Sequence, residues 1–398
     1  MPTLTSLPGR WPLAALLLTL PASLALTACD DDIDDDNPTD TGLPTQVSSL
    51  RFIGEKIVPH RQLYNGTTLG GFSGIDYRPD TKSYYIMCDD ASALQPARYY
   101  TATLNFDQNS FSEVAFTGVT TLKRPDGTPF PSAAADPANT LDPEGIRYDG
   151  LSNRLIWSSE GVRNVTASPA VLIQPYLREA NLDGSHVGEF PLPPLFRIQA
   201  TDNGTRSNGS FEGMALSPGG KFVFTAAEEP LYEDGPRASS TQAGATIRIV
   251  KYDRVTRQVL GQYAYKLDAV HAAPVPATQF QLNGVVEVLA LTETKLLAME
   301  RSFAVGATPD YKVRIYEIDL SAATDVAGLT ALTGTNHTPV TKRLVLDLAT
   351  TGISRVDNLE GMTFGPKLAN GRHSLIMVSD DNFGSSQISQ FLAFEVMP

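Results

Sequence analysis

The chain has 398 residues, of which 42% are hydrophobic and 19% are charged, and its formal net charge is −13. This composition is globular, with enough residues for one large core or two domains, and it excludes a collagen, a disordered chain and a polytopic membrane protein. With 31 Lys and Arg against 44 Asp and Glu, the chain is also a poor partner for the phosphates of nucleic acid.

The first 29 residues have the pattern of a secretion signal. One cation, Arg10, precedes an apolar run that contains two prolines, and Leu26-Thr27-Ala28-Cys29 follows. Small residues before a cysteine resemble a bacterial lipobox, in which the cysteine is acylated and becomes the first residue of the mature protein. The run of about 18 residues is short for a membrane helix, which needs about 20. We predict a lipoprotein signal peptide over residues 1–29, with a plain signal peptide or a single membrane helix as alternatives.

Residues 30–48 are predicted to form an acidic, flexible tether. They begin with the aspartate-rich stretch from Asp30 to Asp36 and continue with polar residues. Such a segment buries too little apolar surface to fold, and its like charges keep it extended. The predicted localisation is therefore the bacterial cell envelope, with the membrane contacted only through the lipid on Cys29. Calcium binding by the aspartates is the alternative, although the glycine and distal glutamate of an EF-hand loop are missing.

A motif then recurs about every seventy residues, and each copy has a short apolar strand, a polar turn and a second apolar strand. The equivalent positions, at steps of 71, 68, 75 and 73 residues, are Ser73, Glu144, Glu212, Glu287 and Glu360. Further strands follow each copy, which predicts a four-stranded antiparallel sheet for each unit. Repeated units of four strands are the signature of a β-propeller.

The fifth unit is one strand short, because only Phe391–Met397 follows Asp381 as a clear strand. We predict that Leu50–Val58 supplies the missing strand and closes the ring, which removes an exposed sheet edge. The predicted fold is all-β, a β-propeller of five four-stranded blades over residues 49–398. Six blades are the alternative, if one long connection contains a degenerate blade. In the second unit the third strand is predicted to run from Val171 to Ala180.

Carboxylates recur with the strands. Because the start of one strand lies beside the end of its antiparallel partner, an acid at each of these ends should meet at one rim of the blade. If the strands are the inner ones, the acids share one mouth of the central channel. These nine residues are Asp89, Glu144, Glu160, Glu212, Glu228, Glu287, Glu300, Glu360 and Asp380.

Such a concentration of charge needs compensation. Two carboxylates about 4 Å apart repel by roughly 4 kcal/mol at an effective dielectric near 20. The cavity must therefore raise pKa values, recruit bases or bind cations. The nearby bases are few, namely Arg98, Arg163, Arg301 and Arg355. Hard oxygen ligands from several strands suit Ca²⁺, so we predict that the nine acids form a calcium site. The alternative is a structural repeat, in which each carboxylate accepts backbone amides from the next blade.

The recurring strand starts resemble those of the phytase-like domain family, described by its "esterase-like activity of phytase". The resemblance covers roughly residues 50–397 and rests on the order of Phe72-Ser73-Gly74-Ile75, Asn358-Leu359-Glu360-Gly361-Met362 and Ser379-Asp380-Asp381-Asn382. It implies phosphoric-ester hydrolysis. The chain is also distantly similar to bacterial β-propeller phytases, and that similarity implies several Ca²⁺ ions at one mouth of the ring.

Two functions follow from these observations. The first is a lipid-anchored, Ca²⁺-dependent phosphoesterase acting on a small phosphorylated substrate, with Arg163 and Arg301 as the side chains that contact phosphate. An ion pair with a neighbouring rim acid is the alternative for each arginine. The second function is a non-catalytic binding module or scaffold with a structural cation, and other hydrolases such as lactonases come after it. We expect a monomer.

Other chemistries lack their motifs. Gly71-Phe72-Ser73-Gly74-Ile75 has the serine of a hydrolase elbow but not its final glycine. The five histidines are scattered and have no zinc-ligand spacing. No phosphate loop or dinucleotide fingerprint occurs.

Overall fold

The computed structural model describes residues 42–242 and 244–398, so the predicted signal peptide, Cys29 and most of the tether lie outside the described residues. The described chain consists of β-strands and turns, with short 3-10 helices at Pro194–Phe196, Pro218–Gly220, Tyr232–Asp234 and Leu348–Thr350. No helix of this part is long and apolar enough to cross a membrane.

The chain enters the propeller through a strand and a small hairpin. The strand is β1 (Ser49–Val58), and the hairpin pairs β2 (Leu63–Tyr64) with β3 (Thr67–Thr68). The first blade follows as an antiparallel sheet of β4 (Gly74–Arg78), β5 (Ser83–Cys88), β6 (Arg98–Phe106) and β7 (Phe111–Thr121).

The second blade contains an inserted hairpin. Its strands are β8 (Pro143–Asp149) and β9 (Arg154–Ser159), then the hairpin β10 (Val162–Asn164) with β11 (Val171–Ile173), and finally β12 (Tyr176–Ala180) and β13 (His186–Glu189). The prediction of one strand from Val171 to Ala180 is wrong. Pro175 has no amide to donate to a ladder, and the chain changes partner there, from β10 before the proline to β9 after it.

The third and fourth blades follow the predicted pattern without insertions. The third consists of β14 (Phe211–Leu216), β15 (Phe222–Ala227), β16 (Thr246–Asp253) and β17 (Val259–Lys266). The fourth consists of β18 (Gln281–Ala290), β19 (Lys295–Ala304), β20 (Tyr311–Asp319) and β21 (Thr341–Asp347).

The fifth blade combines both ends of the described chain. Its strands β22 (Leu359–Lys367), β23 (His373–Ser379) and β24 (Ser389–Met397) are completed by β1. β1 pairs antiparallel with β24, from Ser49 opposite Met397 to Val58 opposite Ser389. The predicted five-bladed propeller and its closure by an N-terminal strand are therefore confirmed.

The first strand of each blade lines the axis, because β4, β8, β14, β18 and β22 contact one another around the ring. This close approach explains why a glycine follows the repeated position in four of the five blades, as Gly74, Gly145, Gly213 and Gly361. A Cβ at Gly213 would lie 2.7 Å from the Cα of Glu287, and a Cβ at Gly74 would lie 2.6 Å from the carbonyl oxygen of Glu144. Any side chain there would force the inner strands apart.

An ion pair ties the inner strands together inside the channel. Arg147 on β8 pairs with Glu287 on β18 at 2.7 Å and donates to the carbonyl oxygens of Ile75 at 2.7 Å and Met362 at 3.2 Å. Glu287 in turn accepts the amide of Met214 on β14 at 3.0 Å. Since these partners come from five blades, the pair holds the whole ring at its centre.

The ordered domain begins before residue 49. Val47 is buried, its amide donates to Glu317 Oε2 at 2.9 Å, and its carbonyl accepts from Arg343 at 2.6 Å. His373 also hydrogen-bonds the carbonyl of Gly42. Residues 42–48 were predicted as part of the tether. They instead contact the propeller, because apolar side chains such as Val47 pack into its core.

Candidate metal centre

A cavity of about 340 Å³ opens at the end of the channel where the first strands begin and the second strands end. Carboxylates dominate its lining, and among the described residues Arg301 is the one base that lines it. We call this cavity the acidic mouth. Its seven carboxylates are Asp89, Asp142, Glu144, Glu212, Glu228, Glu360 and Asp380.

Six of the nine predicted acids line the acidic mouth, and Glu160 lies beside them. One carboxylate oxygen each from Asp142, Glu144 and Glu160 lie within 4.8 Å of one another, and the same holds for Glu160, Glu212 and Glu228. The two groups share Glu160, so the residues offer two adjacent positions for a cation. The first group belongs to the second blade alone, and the second group joins the second blade to the third.

Glu287 does not reach the acidic mouth. Its carboxylate lies deeper in the channel, where Arg147 and the amides of Met214 and Met362 satisfy it, at 2.7, 3.0 and 3.3 Å. This is the arrangement that a structural carboxylate would adopt, since it accepts backbone amides from the neighbouring blades.

Glu300 also lies outside the acidic mouth, although its strand reaches that rim. β19 continues as a regular strand through Ala304, so consecutive residues point to opposite faces, and Arg301 rather than Glu300 faces the mouth. Glu300 instead accepts from Tyr265 Oη at 2.5 Å and from Lys342 Nζ at 2.6 Å. The acid predicted for the fourth blade is therefore replaced in the mouth by a base.

Four carboxylates of the acidic mouth receive no hydrogen bond from the described residues. They are buried or nearly buried, and a buried carboxylate without a donor must hold a proton or meet a cation. In Asp89, one carboxylate oxygen is fully buried without any partner. The four residues are Asp89, Asp142, Glu144 and Glu212.

The pKa values in the acidic mouth respond to this environment. Burial, and next the charge of Glu360, raises the pKa of Asp142 to about 7. Burial and the neighbouring carboxylates raise the pKa of Glu144 and of Glu212 well above the usual range. Burial also raises the pKa of Glu228, although Arg301 acts in the opposite direction there. The raised pKa values mean that, without a cation, burial and mutual repulsion favour the protonated form of these acids.

Arg301 is held in a fixed position by acids from both neighbouring blades. Its Nη2 donates to Glu228 at 2.8 Å, and its Nη1 donates to Asn358 at 2.7 Å and to Glu360. The guanidinium is nearly buried. Arg301 thus makes ion pairs with rim acids, but not with the adjacent Glu300.

The other predicted bases lie elsewhere. Arg163 belongs to the inserted hairpin, where it donates to the carbonyl of Gln199 at 2.9 Å and to Asp202 at 2.8 Å. Arg98 is buried in an ion pair with Asp90 at 2.7 Å. Arg355 is partly exposed and pairs with Asp357 at 3.4 Å. None of the three lines the acidic mouth as the structure describes it.

The sequence analysis missed several polar residues of the mouth, among them Asp142, Asn208, Asn358 and Asn382. Asp142 and Asn358 each stand two positions before the repeated glutamate of their blade, and Ser210 occupies the same place in the third blade. A polar residue two positions before the repeated glutamate, at the start of an apolar strand, is the sequence signal that could have identified Asp142 and Asn358. Ser73, at the glutamate position of the first blade, donates to the carbonyl of Glu144 at 3.0 Å and is not among the lining residues.

Comparison with known proteins identifies one family. The profile of the phytase-like family, described as "esterase-like activity of phytase", matches residues 67–383. No curated protein matches the chain.

Several solved structures align with most of the chain at low identity. An α-L-arabinofuranosidase from Lactobacillus brevis is 11% identical over 85% of this chain and 92% of that chain, with a TM-score of 0.43. A protein of unknown function from Dyadobacter fermentans is 11% identical over 88% and 100%, with a TM-score of 0.39. A periplasmic gluconolactonase from Pseudomonas aeruginosa is 11% identical over 86% and 92%, with a TM-score of 0.33. These values are too low to carry an argument about function.

Proposed function

The chain belongs to the phytase-like family, and from this premise we propose that it hydrolyses phosphoric esters at the acidic mouth with Ca²⁺ as its cofactor. The observation that supports the proposal most directly is the group of carboxylates without donors in that cavity. Such a group is costly to bury without a cation, and phosphate is a ligand that a cation-loaded cavity would attract.

The donor set fits calcium. Ca²⁺ takes several carboxylate oxygens in flexible geometry, whereas the nitrogen and sulfur ligands that zinc favours are absent from the residues that line this cavity. Asp142, Glu144 and Glu160 would hold one ion, and Glu160, Glu212 and Glu228 would hold a second. When bound, calcium would polarise a phosphate oxygen and lower the pKa of a coordinated water.

Arg301 would orient the substrate. The bonds to Asn358, Glu228 and Glu360 use three of its five N–H donors and fix the plane of the guanidinium. The remaining donors are available to a phosphate oxygen, for which a planar, permanently charged group is well suited. Because its partners belong to blades three and five, Arg301 would keep this orientation without reorganising when substrate binds.

A hydrolysis assay tests the proposal. The purified protein, freed of metal, is offered a panel of phosphomonoesters with Ca²⁺ and with a chelator. We expect hydrolysis with Ca²⁺, its loss with the chelator, and a large decrease in the Arg301→Lys variant, whose ammonium cannot reproduce the planar contacts. Absence of hydrolysis under every condition would contradict the proposal.

The second candidate function is a non-catalytic binding module with a structural cation. It is favoured by Glu160, whose carboxylate accepts the amide of Ser210 from the next blade at 2.8 Å. In that case Ca²⁺ would raise the melting temperature of the protein while no phosphoester is hydrolysed.

We also propose that the protein is lipid-anchored in the bacterial cell envelope. The support is the apolar run followed by Leu26-Thr27-Ala28-Cys29. Residues 30–41 would then join the acylated Cys29 to the propeller, and the substrate would be a small phosphorylated molecule that reaches the acidic mouth from solution.

A further inference from the structure

One side of the acidic mouth is aromatic. Phe280, Phe303 and Tyr311 line the cavity together with the acids. The ring centroids of Phe280 and Phe303 are 6.2 Å apart, and those of Phe303 and Tyr311 are 4.7 Å apart. We call these three rings the aromatic wall.

The position of the aromatic wall follows from the register of the fourth blade. Arg301 and Phe303 are two residues apart on β19, so both side chains project from the same face, about 7 Å apart along the strand. Tyr311 on β20 is directly opposite Phe303. Strand β19 therefore places the guanidinium of Arg301 beside the carboxylates and the ring of Phe303 next to it on the same face.

Part of the aromatic wall is open to solvent. Phe280 is 52% exposed, Phe303 is partly buried, and Tyr311 is 9% exposed. Covering an exposed phenyl ring with an apolar group is favourable, and two aromatic rings in contact gain further from edge-to-face or offset geometry. The wall thus offers a ligand an apolar contact in a cavity whose other walls are charged.

We propose that the acidic mouth selects phosphoesters whose alcohol carries an aromatic or similarly flat apolar group. The phosphate lies beside Arg301 and the proposed metal ligands, and the apolar group lies against Phe280 and Phe303. This inference rests on the proposed phosphoesterase function and adds a substrate class to it.

The same lining disfavours a polyphosphorylated substrate such as phytate. Among the described residues, Arg301 is the one base that lines the mouth, and Glu228 and Glu360 already neutralise much of its charge. Phytate carries a phosphate on each carbon of its ring, so further phosphates would face carboxylates or the aromatic wall. An ester with one phosphate and one apolar group matches the two surfaces that the cavity offers.

Two matched pairs of ligands test this inference on the full mature chain. Benzylphosphonate and methylphosphonate report binding by calorimetry in the presence of Ca²⁺, and benzyl phosphate and methyl phosphate report kcat/KM. The alcohols released from the two esters are similarly acidic, so a preference reflects contact with the protein rather than a better leaving group. The variant is Phe280→Ala, and Leu260→Ala, at a side chain 47% exposed on the third blade, is the control.

We expect the benzyl compounds to be preferred by about tenfold, in both Kd and kcat/KM, in line with one aromatic contact. Phe280→Ala should remove most of this preference, because it weakens the binding and turnover of the benzyl compounds more than those of the methyl compounds, and Leu260→Ala should leave the preference intact. The proposed selectivity for aromatic esters would be wrong if the unaltered protein bound both phosphonates equally, or if the preference survived Phe280→Ala. Either result would leave the phosphoesterase proposal standing. If no phosphonate binds and no ester is hydrolysed, the proposed function itself fails, and the inference fails with it.

Discussion

Replacing Glu212 with glutamine should stabilise the metal-free protein and reduce the additional stability that calcium provides. Glu212 lines the acidic mouth, with a carboxylate oxygen within 4.8 Å of those of Glu160 and Glu228. Burial and these two neighbours raise its pKa, and it receives no hydrogen bond from the described residues. Glutamine keeps the shape of the side chain and removes the charge.

These distances allow an estimate of how much Glu212→Gln changes the unfolding free energy of the metal-free protein. Two unit charges 4.8 Å apart interact by roughly 3.5 kcal/mol at an effective dielectric of 20. Because Arg301 neutralises much of Glu228, the repulsion that counts is the one with Glu160. Part of it is already relieved in the unaltered protein by proton uptake, so we expect Glu212→Gln to raise the unfolding free energy without metal by about 1–3 kcal/mol at pH 8.

The stabilisation that calcium adds should decrease in the variant. An ion present at a hundredfold excess over its Kd stabilises the folded state by about 2.7 kcal/mol. Removing one anionic ligand should weaken the affinity by at least about tenfold, which lowers this stabilisation by about 1.4 kcal/mol. The difference in melting temperature with and without Ca²⁺ should therefore shrink in the variant.

Thermal and denaturant unfolding with Ca²⁺ and with a chelator measures both effects. The matched control is Glu293→Gln, since Glu293 is half exposed in a surface ion pair with Lys221 and should leave the calcium response unchanged. If the melting temperature of Glu212→Gln is lower by the same amount with and without Ca²⁺, Glu212 is a structural side chain and not a calcium ligand.

Three further predictions concern the anchor, the ring closure and pH. Cys29→Ser should abolish acylation and leave the protein unprocessed or soluble, and a processed, lipid-bearing form of this variant, detected by detergent partitioning, would contradict the lipobox. Deleting residues 49–58 should expose the edge of β24 and promote aggregation, whereas a monomer with an unchanged melting temperature would contradict closure by β1. Burial raises the pKa of Asp142 to about 7 in the folded protein, whereas an aspartate in the unfolded chain has a pKa of about 3.9. The contribution of Asp142 to the unfolding free energy is therefore fully present below about pH 4 and is lost as the pH rises through 7. The unfolding free energy of the metal-free protein should therefore fall less between pH 5 and pH 8 in Asp142→Asn, and an unchanged slope would contradict the burial of this acid.

The sequence predicts the propeller because each blade repeats the same physical requirement. An inner strand begins at the rim and then passes so close to its neighbours that Gly213 and Gly74 admit no side chain. That requirement leaves a glycine at regular spacing in four blades, after Ser73, Glu144, Glu212 and Glu360, whereas Val288 follows Glu287 in the fourth blade. The break at Pro175 is also readable in the sequence, but the change of strand partner there depends on the inserted hairpin, which has no counterpart in the other blades.

The composition of the site was less predictable, because it depends on which way a side chain points. Glu300 and Arg301 are neighbours on one strand, and the alternation of β19 decides that the arginine enters the mouth. Glu287 occupies the same position in its blade as Glu144, Glu212 and Glu360, yet it forms an ion pair inside the channel with Arg147 from another blade. The positions of these side chains depend on strand register and on contacts between residues distant in sequence. Neither can be read from a repeated motif.

Calcium binding in the acidic mouth can be observed directly in the anomalous difference density of a crystal grown with Ca²⁺. We expect one or two peaks in the acidic mouth, coordinated by carboxylates of Glu144, Glu160 and Glu212, and the disappearance of at least one peak in Glu212→Gln. A mouth without any peak, or calcium bound only on the outer surface of the propeller, would contradict the proposed calcium site.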